Sequence, residues 1–168
     1  MVSYDALPEG LLPESVMSRI EYLPLEDVVA EVLREALSDL PVFTLIPDSP
    51  PALFVLVRRD HTFEGWEGDD HFLDFGNVRV DCFTTDPDGD LKGALVSEAV
   101  RVSLRDAALA KRRVLGRGWL HRIEQRGEPS RKSDWATATG PVQYADLPTG
   151  THRYETRYRV FVRFFPNT

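Results

Sequence analysis

The stretch Asp74–Ala110, DFGNVRVDCFTTDPDGDLKGALVSEAVRVSLRDAALA, reads as a strand, a tight acidic turn and a long helix. Gly76, Val78, Val80 and Cys82 alternate with Asn77, Arg79, Asp81 and Phe83, the period of two of a half-buried strand. Asp86-Pro87-Asp88-Gly89 is a turn with a mechanism: proline presets φ, glycine accepts φ > 0, and each aspartate can bond nearby amides. Asp90 is then placed to cap a helix whose apolar residues recur at Leu91, Leu95, Ala99 and Val102. A strand that feeds such a helix builds one layer of sheet and one of helix. The remaining chain must complete both layers.

Before this unit, Leu25–Leu40 predicts a helix. Pro24 precedes it, Glu26 and Asp27 sit in its first turn, and Pro41 ends it. Val28, Val29, Val32, Leu33, Ala36, Leu37 and Leu40 form its apolar stripe. Ala52–Arg59 is a nearly unbroken apolar run, which predicts a central strand covered on both sides. Asp60–Asp70 is a polar loop carrying Trp66.

After the unit, Lys111–Thr139 is basic. Trp119–Gln125 alternates as a short strand with Trp119, His121 and Ile123 on one side, and Arg126–Thr139 reads as a mobile loop. Pro141–Ala145 is a candidate short strand. Thr151–Phe165 is a clear one, with Tyr154, Thr156, Tyr158, Val160, Val162 and Phe164 toward the helices and Arg153, Glu155, Arg157, Arg159 and Arg163 on the other face, with Phe161 and Phe165 among them. The expected architecture is α+β: two helices packed on one face of a mixed, mostly antiparallel sheet of four to five strands. Residues 1–24 form an N-terminal arm, and residues 25–168 one domain with a basic loop at about 111–139.

The 168 residues suit one domain, and no apolar run approaches the roughly 20 residues that span a bilayer, so no membrane partner is expected. The N-terminus lacks a signal-peptide pattern, since Asp5, Glu9 and Glu14 interrupt it. A single cysteine, Cys82, excludes an internal disulfide and a multi-cysteine zinc site. The net charge of −7 hides an asymmetry. Residues 1–90 hold 5 Lys+Arg against 20 Asp+Glu, a net of −15, and residues 91–168 hold 15 against 7, a net of +8. One reading is an acidic side and a basic side that dock head-to-tail between copies.

Catalytic motifs do not emerge. His61, His71, His121 and His152 form no HxxxH pair, and no phosphate loop, GxGxxG turn or GxSxG elbow occurs. Asp86, Asp88 and Asp90 open like a calcium loop, but Gly89 stands at the fourth position and Ser97 at the twelfth, so turn and cap explain them better. No cofactor, metal or enzymatic activity is expected. A small metal-dependent nuclease using some of Asp69, Asp70, Asp74 and Asp81 is the weaker alternative.

The blocks LEDVVAEVLREAL, ALFVLVRR, the strand-turn-helix from Asp74 and ETRYRVFVRF together resemble the tail terminator proteins of long-tailed siphophages, also called minor tail or tail-completion proteins. The resemblance covers about residues 25–110 and 151–165 and rests on layout, with no short catalytic motif. It implies a structural virion protein at the head–tail junction, assembled in the host cytoplasm. Such a protein forms a homo-oligomer, a hexameric ring that caps the tail tube and joins the tail to the head. Its implied partners are the tail tube protein and a head–tail connector protein, with non-specific proximity to genomic DNA in the channel. Another neck or head-closure protein of the same particle is the alternative. Trp66, Arg112, Arg113, Arg117, Arg157, Arg159 and Arg163 are the candidate subunit or partner contacts.

Overall fold

The computed structural model describes residues 24–60, 73–116, 118–132 and 150–164, without the side chains of Leu73 and Phe164. Helix α1 spans Leu25–Ala36. Strands β1 (Val42–Phe43) and β2 (Phe54–Asp60) follow, then β3 (Leu73–Thr85), helix α2 (Gly89–Leu109), β4 (Arg113–Val114), β5 (Gly118–Lys132) and β6 (Thr151–Phe164). The strands form one sheet in the order β1-β2-β3-β6-β5-β4. Only the β1–β2 pair is parallel among these neighbours. The class is α+β and the sheet mixed as expected, but it has six strands rather than four to five. The two-residue edge strands β1 and β4 account for the difference, being too short to leave a period in the sequence.

The faces of β3 and β6 follow their alternation. Val78, Val80 and Cys82 of β3 lie beside Tyr158, Thr156 and Tyr154 of β6 in register. Val55 and Val57 of β2 continue this face, and with Val160 and Val162 they enclose one core with Leu25, Val28, Val29, Val32 and Leu33 of α1 and Val100 and Leu104 of α2. Both helices therefore cover the same side of the sheet. At the far end of β2 the opposite side is also buried: Phe54, Leu56 and Phe83 pack with Phe43 and Ile46. The Phe54 and Phe83 rings stack at 4.6 Å. This is why Phe54–Val57 is an unbroken apolar run.

Three expectations change. Helix α1 stops at Ala36, four residues before Leu40, although Leu37 and Leu40 still pack against the core. Strand β5 runs to Lys132, so Arg126–Lys132 is strand rather than loop, and Gly127 takes a positive φ within it. A register shift between Leu120 and Arg122 also breaks its alternation. Leu120 and Ile123 face the helices as a result, while Trp119 lies on the other side with Arg163. Residues 133–139 and 141–145 lie outside the described residues.

The third change concerns α2. The buried residues are Gly89, Gly93, Ser97, Val100, Leu104 and Ala107. The stripe read as core-facing does not face the core: Leu91 is 64% exposed and Leu95 61%. The cause lies in β6. A Cβ on Gly89 would stand 2.6 Å from the His152 ring, and one on Gly93 2.6 Å from the Tyr154 ring. Two glycines one turn apart let the helix sit down on two large side chains of the sheet. The residue before the helix is Asp88, with φ 64°, and no side chain caps the end. Asp90 stands in the first turn instead, accepting a hydrogen bond from the Tyr154 hydroxyl at 2.8 Å and pairing with Arg131 at 3.1 Å.

Candidate functional site

The face of the sheet away from the helices carries the chemistry. Its side chains fall into rows across β5, β6 and β3, fixed by strand register. The first row, which starts on β4, is Arg113, Trp119, Arg163. Next come Arg122, Phe161, Phe75, then Glu124, Arg159, Asn77, then Arg126, Arg157, Arg79. The last two are Ser130, Glu155, Asp81 and Lys132, Arg153, Phe83.

The upper rows form an arginine–aromatic band. The Phe75 and Phe161 rings stack at 5.7 Å. The Arg159 guanidinium lies 5.0 Å from the Phe75 centroid and 5.5 Å from that of Phe161. Arg122 sits 5.7 Å from Phe161, and Arg163 6.0 Å from Trp119. Planar guanidinium groups over ring faces are held in place while their N–H edges still point outward. Arg122 and Arg163 are exposed, and Arg159, Phe161, Phe75 and Trp119 are half-buried.

The lower rows form a charged network. Arg126, Arg157 and Arg79 stand side by side, an arrangement that repels unless acids intervene. Each has one. Glu124 pairs with Arg126 at 3.1 Å, Asp60 with Arg157 at 3.2 Å, and Asp81 with Arg79 at 3.0 Å. Asp81 is fully buried and also 3.5 Å from Arg153, which lies 3.8 Å from Glu155. Burial raises the Asp81 carboxyl above its usual range, opposed by Arg79 and Arg153.

This network resolves the charge asymmetry. Asp60–Arg157, Asp81–Arg153, Asp90–Arg131 and Glu35–Arg112 each join the acidic half of the chain to the basic half. So does Asp86–His152, at 2.8 Å. Among the described residues the halves do not form separate sides, because β3 and β6 are neighbours and interleave their charges.

Of the sequence candidates, Arg113, Arg157, Arg159 and Arg163 come together on this face. Arg112 does not: it pairs with Glu35 of α1. Trp66 and Arg117 lie outside the described residues. The sequence reading missed Trp119, Phe75 and Arg122, and it placed Phe161 on the arginine face without naming it as a contact. The parity of Phe161 within the arginine face of β6 was a usable signal, and the same holds for Phe75, which shares the parity of Asn77 and Arg79. Trp119 was hidden by the bulge.

Three other clusters are structural in character. His152 Nδ1 accepts from Arg131 at 3.0 Å, so its Nε2–H donates to Asp86 and both ring nitrogens are occupied. Cys82 is buried, and burial pushes its thiol up to about 12, which keeps it inert at neutral pH. Asp74 and Asp81 differ by an odd number of residues and point to opposite faces of β3, so they cannot share a metal ion. Asp69 and Asp70 lie outside the described residues, and among those described no three of His, Cys, Asp and Glu converge on a point. A pocket of about 300 Å³ at the start of α1, lined by Glu26, Asp27, Thr44, Leu45, Arg58 and Arg59, mixes both charges.

No protein-family model matches the chain, and neither does any curated protein. One solved structure covers 91% of this chain and 98% of its own at 14% identity, with a TM-score of 0.47. Likeness at that level carries no statement about what the chain does.

Proposed function

We propose that this chain is a structural virion protein, a phage tail terminator whose copies form a hexameric ring that caps the tail tube and joins the tail to the head. The supporting observation is the arginine–aromatic band on the outer sheet face. Arginine and aromatic residues are enriched at interface cores and hot spots, where rigid rings and flat guanidinium forks combine area with directed hydrogen bonds. Arg159, lying over both the Phe75 and Phe161 rings, is pre-ordered for such a contact, so little side-chain entropy remains to be lost on docking. A face of this kind needs no reacting group, and we read the protein as non-enzymatic, without metal or cofactor. The tail tube protein and a head–tail connector protein are the proposed partners, with DNA passing through the ring without specific contact.

The test is negative-stain imaging of the full chain alone and with purified tail tubes. Rings on tube ends are expected, lost in Arg159→Glu while the melting temperature stays within a few degrees of the parent. A protein that stays monomeric at micromolar concentration and leaves tubes bare would overturn the reading. Rings found on the portal side of the neck would replace it with a head-closure role.

A further inference from the structure

Helix α2 has two apolar stripes. One is buried, and the other points into solvent. At 100° per residue, Leu91, Leu95, Val102 and Leu109 project about 180° from the buried Gly93, Val100, Leu104 and Ala107. Leu91, Leu95 and Leu109 are 64%, 61% and 74% exposed, three of the exposed large hydrophobic residues among those described. The stripe spans about 27 Å of one helix, and Val102 near its middle is half-buried. A row of leucines with this spacing on a surface marks a docking site rather than scattered exposure.

From Leu95 to Leu109 the stripe is symmetric about Val102, and Leu91 lies outside this symmetric part. Leu95 lies seven residues before it and Leu109 seven after. Glu98 stands about one turn before it and Arg105 about one turn after, both on the exposed side, where they pair along their own helix with Arg101 and Asp106 and would exchange these exposed partners on docking. We infer that α2 pairs antiparallel with α2 of a second copy about a two-fold axis near Val102. In that register Leu95 meets Leu109 of the other copy at both ends, and Glu98 meets Arg105 twice. A two-fold contact requires a surface that is complementary to itself, and this stripe has that property in both its apolar and its charged positions. Antiparallel helices also oppose their macrodipoles favourably. One helix stripe falls short of the roughly 800 Å² per partner of a standard interface, so the dimer is expected to be concentration-dependent in the micromolar range. The contact lies on the helix side of the molecule, opposite the arginine–aromatic face, and does not depend on the function proposed for that face.

Cross-linking tests this directly, because the chain's own Cys82 is buried. Val102→Cys places a thiol beside its own copy, whereas Leu91→Cys places two thiols about 33 Å apart in the proposed register. A short bismaleimide should link most of the Val102→Cys protein into dimers and leave Leu91→Cys monomeric. Sedimentation should show the parent dimer lost in Leu95→Glu, in Glu98→Arg and in Arg105→Glu, and restored when Glu98→Arg and Arg105→Glu are combined. Circular dichroism checks that each variant folds. Equal linking at both cysteines, no linking at Val102→Cys, or a double swap no better than the singles would overturn the pairing. The last two outcomes would assign the stripe to a different partner. Ring formation on tail tubes is scored separately with Arg159→Glu, so either idea can fail alone.

Discussion

Gly93 of α2 lies against Tyr154 of β6, so close that a Cβ on the glycine would stand 2.6 Å from the ring. The ring cannot simply swing away, since its hydroxyl donates to Asp90 at 2.8 Å. Gly93→Ala should therefore destabilise the protein, although alanine is the better helix former by about 1 kcal/mol. Overpacking of about 1–3 kcal/mol offsets that gain or exceeds it, for a net loss of up to about 2 kcal/mol. Urea unfolding measures it. The loss should shrink in a Tyr154→Leu background, which removes the clash.

Val80 is 1% exposed and faces the helices. Val80→Asp buries an unpaired charge, and the expected cost of several kcal/mol is enough to unfold a domain of ordinary stability. Arg122, on the other face, has a side chain 64% exposed, and Arg122→Gln should change stability by no more than about 0.5 kcal/mol. A soluble, cooperative Val80→Asp protein would contradict the assignment of the two faces.

Burial raises the Asp74 carboxyl above the ordinary aspartate value of 3.8, against the opposing pull of Arg59. A folded-state pKa above the unfolded one means that the ionised group costs stability at neutral pH. That cost fades as pH falls through the folded pKa and is gone below the unfolded value. Asp74→Asn should thus melt higher than the parent at pH 7, with the two curves converging near pH 3.8. Melting temperatures across this range give the answer, and a variant that melts lower at pH 7 would reverse the sign.

The Cys82 thiol, with its pKa near 12, should resist labelling. At pH 8 its thiolate fraction is about 10³-fold below that of an ordinary cysteine, before any steric shielding. Reaction with a chromogenic disulfide should follow global unfolding and appear at full rate only in denaturant.

Local periodicity is a reliable guide wherever an element offers only one way to be amphipathic. Val78, Val80 and Cys82 against Arg79 and Asp81 could alternate in only one sense. The same held for Tyr158, Val160 and Val162 against Arg157, Arg159 and Arg163. The α1 stripe and the two-sided burial of Phe54–Val57 were equally plain. These readings gave the arginine face of β6, and hence half of the candidate site. The aromatic half needed neighbours: Phe75 stacks on Phe161 only because β3 and β6 pair in that register.

By itself the sequence determined the two layers, the faces of the long strands and the lack of a recognisable catalytic motif. These follow from spacing within single elements, which the chain carries locally. Only the tertiary structure decided the rest. Helix α2 has two stripes of period 3.6, and the one with glycines is buried because Tyr154 and His152 fill the space a larger residue would need. Among the described residues the acidic and basic halves mix because β3 and β6, more than sixty residues apart in the chain at every paired position, lie side by side. Complementarity of shape and charge between distant segments has no local period, so it becomes readable only once the sheet has formed.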